Sequence, residues 1–286
     1  MHRRSSMRYT RPASPTPGFT LVEMLVIAPI VLLTVATFVG ILIYLTGETL
    51  IARTSNSLAY SVQDSLNTIE QDVTLSGSFL ATNNVAITTP QGYNNDAQAF
   101  QNASTSTGTT LIINATATTD TPNSASRQVI PLDNLPHACS STMVNQNQVM
   151  TYNIVYFVKD NTLWRRTLMP SNYTTRGCST PWQKPTCAPG QTGTMCVTED
   201  MKLLDGVTSA NFTVEYFVAA NSTTPLTAAA NPASTNTVRQ SSLSTSNTAT
   251  ITIQATRSVA GKDVNYTGSV RVSRIGPLSE QSTPVP

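Results

Sequence analysis

Charged side chains are scarce in this sequence. Lys, Arg, Asp and Glu together make up 11% of the 286 residues, whereas about a quarter is usual in a soluble globular domain. Four of the 17 basic residues precede Gly18, and they leave 13 basic against 15 acidic residues in the rest of the chain. A chain with that balance has no global attraction for nucleic acid.

Histidine and the common catalytic motifs are nearly absent. Beyond residue 18 only His137 remains, and there is no G-x-S-x-G, H-E-x-x-H or P-loop motif. The cysteines form no C-x-x-C pair, and the loop "YNNDAQ" from Tyr93 to Gln98 lacks the ligand spacing of a calcium loop. A Ser-His-Asp arrangement drawn from distant segments stays open. We expect no enzyme activity, no catalytic or metal site and no cofactor.

The 22 residues from Met24 to Leu45 form a mostly apolar segment without a charged residue. As a helix it would be about 33 Å long, enough to cross a bilayer core of roughly 30 Å. Pro29 lies inside this segment and removes one helix hydrogen bond. The arginines before Gly18 favour a cytoplasmic N-terminus. The sequence therefore predicts a single-pass membrane protein with everything after Leu45 outside the cytoplasm.

Glu23 is the one acid in the apolar stretch "PGFTLVEMLVIAPIV", which runs from Pro17 to Val31. A carboxylate in a membrane segment is costly and indicates a functional role with a partner. A secretory signal would have a shorter apolar region followed by its cleavage site, whereas here Gly18 precedes the run. The alternative is that Glu23 only snorkels to the cytoplasmic interface.

At "GFTLVEMLV" the sequence resembles the class III signal of type IV prepilins and type II secretion pseudopilins. The resemblance implies that a prepilin peptidase/N-methyltransferase cleaves between Gly18 and Phe19 and methylates the new amine of Phe19. It also implies that Glu23 pairs with the N-terminal amine of a neighbouring pilin subunit in a filament. The inner-membrane assembly platform would move the helix there from the membrane. Pairing the two charges offsets part of the cost of burying each.

An apolar stripe continues the helical pattern after Gly47. Its members recur at spacings of three and four residues, which is the period of an amphipathic helix: Leu58, Val62, Leu66, Ile69 and Val73. We expect one helix from about Thr20 to Leu75, with the stripe buried against the chain's own sheet. An outside partner for the stripe is the alternative.

The second half of the chain is rich in β-branched and aromatic residues. Residues 149–169 predict a hairpin with its turn at Lys159-Asp160-Asn161, and further strands are expected at "TLIINATA", "ANFTVEYFVAA", "TATITIQATR" and "NYTGSVRVSRI". Residues 81–148 otherwise predict an irregular connection. Residues 221–247, rich in Ser, Thr, Asn and Ala, are typical of a mobile surface loop.

All four cysteines follow the membrane segment: Cys139, Cys178, Cys187 and Cys196. An even number on the side of the membrane that permits disulfides predicts two bonds rather than a zinc site. Three connectivities are open. We favour Cys139–Cys178 with Cys187–Cys196, because one bond would tie the connection to the sheet and the other would close a loop.

The tetrapeptide "LWRR" sets Trp164 beside Arg165 and Arg166. An indole can stack on bases while arginines contact phosphates, so a surface or DNA ligand is an open possibility for a partner. On a strand, however, Trp164 and Arg165 point to opposite faces. We expect Trp164 to pack under the long helix and both arginines to be edge or surface residues.

These features predict an α+β fold class. A long N-terminal helix, hydrophobic and then amphipathic, would pack on an antiparallel β-sheet domain with long loops and disulfides. The expected segments are a leader, a transmembrane or filament-core helix, its amphipathic continuation, a β-rich head and a flexible tail: 1–18, 19–46, 47–77, 78–275 and 276–286.

The order of elements resembles the larger minor pilins and pseudopilins, the W-type and J-type subunits. The segments "NTLWRRT", "LLDGVTSANFTVEYF" and "GSVRVSRI" share in that resemblance. It implies a minor type IV pilin-like subunit with a priming, tip or adhesion role in an extracellular filament. Two alternatives are a pseudopilin of a type II secretion-like system and a membrane-anchored extracellular binding protein that does not assemble.

Overall fold

A computed structural model describes residue 18, residues 20–133, residue 139 and residues 148–275. Predictions for the leader up to residue 17, for Phe19, for His137 and for the tail 276–286 lie outside the described residues. By its internal contacts the chain divides into two compact units, Met1–Leu50 and Ile51–Pro286.

The predicted long helix is confirmed. Helix α1 spans Leu21–Thr74, 54 residues, and runs on through Pro29. All five residues of the predicted stripe are at most 1% exposed, because they face the sheets of the second unit. The helix ends where the Ser76 hydroxyl donates a hydrogen bond to the Val73 carbonyl at 2.7 Å.

The described residues form two larger antiparallel sheets. The first has the strand order β1-β4-β5-β6-β9 and the second has the order β10-β11-β12. Strands of the first sheet are β1 Ser76–Phe79, β4 Leu111–Thr116, β5 Thr151–Lys159, β6 Thr162–Leu168 and β9 Met201–Asp205. Strands of the second are β10 Phe212–Phe217, β11 Thr248–Val259 and β12 Lys262–Ser273.

Two short strand pairs lie in connections between strands of the first sheet. An antiparallel pair joins β2 Ala103–Ser104 to β3 Gly108–Thr109, and a parallel pair joins β7 Thr186–Cys187 to β8 Thr198–Glu199. The strands predicted from sequence are all present. Six further strands were not predicted, because they are short and lack an alternating apolar pattern: β1, β2, β3, β7, β8 and β9.

Both long hairpins turn through two residues with positive φ. At the β5–β6 turn, Asp160 and Asn161 have φ of 52° and 55°, and at the β11–β12 turn Ala260 and Gly261 have φ of 51° and 75°. Two successive positive φ values match the right-handed twist of the flanking strands. The turn predicted at Lys159-Asp160-Asn161 is confirmed.

Helix α1 lies close to strand β12 at Gly268. A Cβ atom added there would lie 2.7 Å from Val62 Cγ1 and 2.9 Å from Leu66 Cδ1. The missing side chain therefore lets two stripe residues of α1 reach the sheet. Val62 and Leu66 belong to one apolar core that also includes Tyr156 and Ile251, so the fold class predicted from sequence is the one observed.

The prediction of a mobile loop over residues 221–247 is wrong. This segment contains a 3-10 helix, Thr227–Ala230, and helix α2, Asn236–Ser244. The Thr235 side chain caps α2 by accepting a hydrogen bond from the Val238 N–H. Leu243 and Arg239 are buried, so a few anchoring residues order a segment whose composition is polar.

Both disulfides of the favoured pairing form. Cys139–Cys178 has a Cα–Cα separation of 5.3 Å and Cys187–Cys196 one of 5.2 Å. The first closes a sequence separation of 39 residues and the second one of 9. Both therefore restrict the unfolded chain of a domain that has long polar connections.

Candidate functional site

The first half of α1 is an exposed apolar surface. Every residue from Leu21 to Thr46 is exposed, and this helix is long and apolar enough to span a membrane. An exposed apolar surface of this extent requires lipid or protein to cover it. The segment is therefore a candidate membrane span, as in a single-pass membrane protein.

The threonine side chains within this segment form hydrogen bonds inside the helix. Three threonine hydroxyls donate to backbone carbonyls three or four residues earlier, at 2.7 to 3.0 Å: Thr34 to Val31, Thr37 to Leu33 and Thr46 to Leu42. In an apolar environment such groups have no water to bind, so internal partners are needed. The segment is thus suited to a lipid or protein interior.

Glu23 and Thr20 cap the start of α1 reciprocally. The Thr20 N–H and hydroxyl donate to Glu23 Oε2 at 3.0 and 2.9 Å, and the Glu23 N–H lies 3.3 Å from Thr20 Oγ1. This is a capping box, which satisfies N–H groups that have no partner inside the helix. Sequence reasoning missed it, although the spacing Thr-x-x-Glu before an apolar run is its signal.

The cap uses only one oxygen of the carboxylate. Both hydrogen bonds that Glu23 accepts end on Oε2, and Oε1 accepts none from a described residue. An ionised carboxylate has about four acceptor positions. The cap therefore fixes the orientation of the side chain and leaves an acceptor for a cation from another molecule. The observed helix cap and the predicted paired charge are therefore compatible in one side chain.

Gly18 has no packing role among the described residues. A Cβ atom added there would meet nothing within 4 Å. Internal structure therefore does not explain why glycine occupies this position. Phe19, the predicted new N-terminus, lies outside the described residues.

The expected position of Trp164 is wrong. Trp164 lies on the face of β6 away from α1, where it packs against the cluster that contains Phe157, and its Nε1–H donates to the Lys159 carbonyl at 3.3 Å. The helix side of β6 is instead occupied by Arg165, whose Nε donates to Asp72 of α1 at 2.6 Å. The alternation of faces was predicted correctly, but a carboxylate on the helix draws the arginine to that side.

Arg166 is buried, which contradicts its predicted surface position. Its side chain is 1% exposed and forms an ion pair with Asp200 at 2.6 Å. The guanidinium also donates to the Gln91 and Gly92 carbonyls at 2.8 and 2.6 Å, and it lies 5.1 Å from the centre of the Phe157 ring. A buried charge needs such complete pairing. Arg166 is therefore held in the interior of the second unit, and "LWRR" does not present Trp164 and both arginines on one surface.

The loop "YNNDAQ" forms an internal turn. The Asp96 side chain accepts a hydrogen bond from the Gln98 N–H at 2.7 Å, and the Asp96 carbonyl accepts one from the Gly92 N–H at 2.7 Å. Within the described part of the chain, no three His, Cys, Asp or Glu side chains are grouped closely enough to hold a metal ion.

Comparison with known proteins adds no relative. No family model, no curated protein and no solved structure matches the chain. Any functional conclusion therefore depends on the site itself, the exposed apolar half of α1 with its capped Glu23.

Proposed function

We propose that the protein is a minor type IV pilin-like subunit, made as a precursor, cleaved between Gly18 and Phe19, and assembled into a cell-surface filament. One observation carries this proposal. The only charged residue between Gly18 and Gly47 is Glu23, and its carboxylate is held by Thr20 through Oε2, while Oε1 accepts no hydrogen bond from a described residue.

The apolar half of α1 would have two successive environments. Before assembly it spans the membrane, with the arginine-rich leader on the cytoplasmic side. After cleavage the same surface packs against the helices of other subunits in the filament core. An exposed segment without charge apart from Glu23 suits both environments, since each is apolar.

Glu23 would select the filament over the lipid. In the membrane the carboxylate near the cytoplasmic interface has no fixed cation. In the filament its Oε1 accepts a hydrogen bond from the methylated amine of Phe19 of a neighbouring subunit. Two opposite charges attract more strongly in an apolar filament core than in water, because the dielectric constant there is lower. That attraction offsets desolvation and fixes the axial register of the incoming subunit.

The proposal implies three kinds of protein partner. A prepilin peptidase/N-methyltransferase removes the leader and modifies Phe19, an inner-membrane assembly platform extracts the subunit, and other pilin subunits receive its helix. A pseudopilin of a secretion system would use the same chemistry and the same partners. An anchored binding protein would need only the apolar helix, and it would have no use for the open oxygen of Glu23.

A Glu23→Ala variant separates assembly from anchoring. We expect it to insert into the membrane and to be cleaved normally, yet to be lost from filaments sheared from the cell surface. The measurement is the ratio of sheared to membrane-bound protein on an immunoblot, with wild type as the reference. An unchanged ratio would contradict the assembly role of Glu23 and would favour the alternative of a membrane-anchored extracellular protein.

A further inference from the structure

A groove lies in the second unit, next to the last turn of α1. Its volume is about 560 Å³, within the range of roughly 300–1,000 Å³ that is usual for binding pockets. The floor is part of the first sheet, with the buried residues Tyr152 and Ile154 of β5 and Thr167 of β6. The walls come from the segments around Arg127 and Lys184.

The rim of the groove combines exposed apolar and cationic side chains. Trp182 is 49% exposed and Val129 is 50% exposed. The guanidinium of Arg127 donates to the Pro122 carbonyl at 3.3 Å, and the ammonium of Lys184 donates to a backbone carbonyl at 3.2 Å. Within the described ranges, neither cation forms an ion pair with a carboxylate.

The one acid that lines the groove is already engaged. Asp72 pairs with Arg165 at 2.6 Å and also accepts a hydrogen bond from the Tyr156 hydroxyl. Arg127 and Lys184 therefore give the groove an excess of positive charge. In a chain with only 11% charged residues, two uncompensated cations beside an exposed indole are a distinctive surface.

The wall that carries Trp182 is fixed in place. The Trp182 N–H donates to the Thr118 carbonyl at 2.9 Å. Gln183 accepts from the Thr118 N–H at 3.0 Å and donates to the Thr118 hydroxyl at 2.9 Å. A surface held by such bonds loses little conformational freedom when it binds a partner, so it is preorganised for binding.

The outward face of α1 in the same unit has the opposite charge. Residues 60–71 include two exposed acids, Asp64 and Glu70, and no basic residue. Neither acid forms an ion pair among the residues that the structure describes. Tyr60 is 78% exposed and lies one helical turn before Asp64, on the same side of the helix. Glu70 follows Asp64 by six residues, which places it about 120° away around the helix, so the two carboxylates flank the exposed side that carries Tyr60. This exposed side is called the acidic face of α1.

We propose that the acidic face of α1 in one copy of the protein docks into the groove of a second copy. Asp64 and Glu70 of the first copy then face Arg127 and Lys184 of the second. The Tyr60 ring packs on the apolar part of the groove's rim at Trp182. Complementary charge is the property that selects this partner, and such charges orient an encounter and reject wrong neighbours. Every copy carries both surfaces. Two copies joined by one contact therefore still have one unoccupied groove and one unoccupied acidic face of α1 between them.

The contact deepens the proposed function and rests on it. Because the two surfaces differ, the interface is heterologous, and its repetition gives a ring or an open helical array. Where two copies of this minor subunit are adjacent in a filament, a contact between their heads would then add to the contact between their helices. That contact would add specificity for copies of the same subunit.

Charge reversal with exchange of partners tests the inference. The groove variant carries Arg127→Glu and Lys184→Glu, and the helix variant carries Asp64→Lys and Glu70→Lys. The full chain is purified in detergent, and the dissociation constant for self-association is measured by sedimentation velocity. Each double variant alone should associate at least roughly tenfold more weakly than wild type, because like charges then face each other. An equimolar mixture should recover wild-type association, because both contacts are again complementary.

Controls separate this result from misfolding and from failure of the filament proposal. Arg176→Glu reverses an exposed charge outside the groove and should associate like wild type, and thermal unfolding of every variant should match. Wild-type chains that stay monomeric, or a mixture that does not recover association, would overturn the docking proposal. Cleavage at Phe19 and loss of Glu23→Ala from sheared filaments do not depend on these charges, so the proposed function can stand or fail separately.

Discussion

Arg165 of β6 and Asp72 of α1 join the sheet to the last turn of the helix, with 2.6 Å between the Arg165 Nε and an Asp72 carboxylate oxygen. The Tyr156 hydroxyl donates to that same oxygen. Both charged side chains are about four-fifths buried, so the pair is shielded from screening by solvent. This network holds the end of α1 against the sheet.

Removing the Asp72 charge should destabilise the second unit. Asp72→Asn leaves Arg165 without its counter-ion, and a buried group that loses its partner costs about 1–3 kcal/mol or more. We expect a loss of about 2–3 kcal/mol in denaturant unfolding followed by tryptophan fluorescence. The matched control is Asp64→Asn on the exposed face of the same helix, which should change stability by less than about 0.5 kcal/mol. Equal effects of the two changes would contradict the account.

A side chain at Gly268 should push α1 from the sheet. Gly268→Ala places a Cβ atom within 3 Å of Val62 and Leu66, and overpacking of this kind costs about 1–3 kcal/mol. Val62→Ala alone should also destabilise, since it opens a cavity in the core. In the double variant the two costs should be clearly less than additive, because the missing methyl groups make room for the new one. Additive costs would show that the helix does not pack there.

Alkaline pH should destabilise the fold through Tyr152. Burial, with a smaller contribution from Asp72, raises the pKa of Tyr152 from 10.0 to about 12. Above pH 10 the unfolded chain loses this proton while the folded chain keeps it. The contribution of Tyr152 to the free energy of unfolding is therefore fully present below pH 10 and declines as the pH rises towards 12. At about 1.4 kcal/mol per unit, the full loss is on the order of 2–3 kcal/mol.

Tyr152→Phe removes the ionisable group and tests this assignment. Unfolding free energies measured from pH 8 to pH 12 should decline less steeply for the variant than for wild type. The pKa values of Tyr156 and Tyr216 are also raised by burial, so part of the decline should persist. Parallel curves for the two proteins would assign the alkaline loss to other groups.

The two roles of Glu23 can be separated by substitution. Glu23→Gln keeps an oxygen that can accept from Thr20, so the capping box persists, but the charge is lost. Thr20→Ala removes both hydrogen bonds of the Thr20 hydroxyl, leaves the backbone N–H of residue 20 as a donor to Glu23, and keeps the charge. We expect Glu23→Gln to be lost from sheared filaments almost as completely as Glu23→Ala. The Thr20→Ala variant should still be incorporated into filaments at about half of the wild-type amount or more.

If Thr20→Ala were lost from sheared filaments more completely than Glu23→Gln, Glu23 would act as a helix cap and not as an assembly residue. Immunoblots of the sheared and membrane fractions decide between these outcomes. Equal membrane insertion of all three variants is the necessary control, since a change in insertion would alter both fractions together.

Local pattern was enough to predict much of the fold. The five apolar residues of the stripe between Leu58 and Val73 recur at helical spacing, and Asp160-Asn161 supply a turn between two apolar strands. Both elements can therefore be predicted from residues that are close in sequence. Helix α2 was missed because its two buried residues, Arg239 and Leu243, give no apolar stripe. Its stability depends on packing against distant segments, including the side chain of Gln101, which accepts from Arg239.

Long-range pairs explain the other differences. The side of β6 that faces α1 was decided by Asp72, 93 residues away from Arg165, and no local rule chooses between two alternating faces. Arg166 was expected at the surface because a charged residue is rarely buried, and its partner Asp200 lies 34 residues further along. The groove likewise combines segments around residues 72, 127, 152 and 184, which only the folded chain brings together.

The most direct test of the assembly account is the N-terminus and intact mass of the protein in sheared surface material and in membranes. The account predicts a chain that begins at methylated Phe19 in the sheared fraction. Such a result would establish the cleavage after Gly18 and the export of the subunit in one measurement. A chain that still begins at Met1 and is confined to the membrane would contradict the account, and Glu23 would then have Thr20 as its partner and no role in a filament.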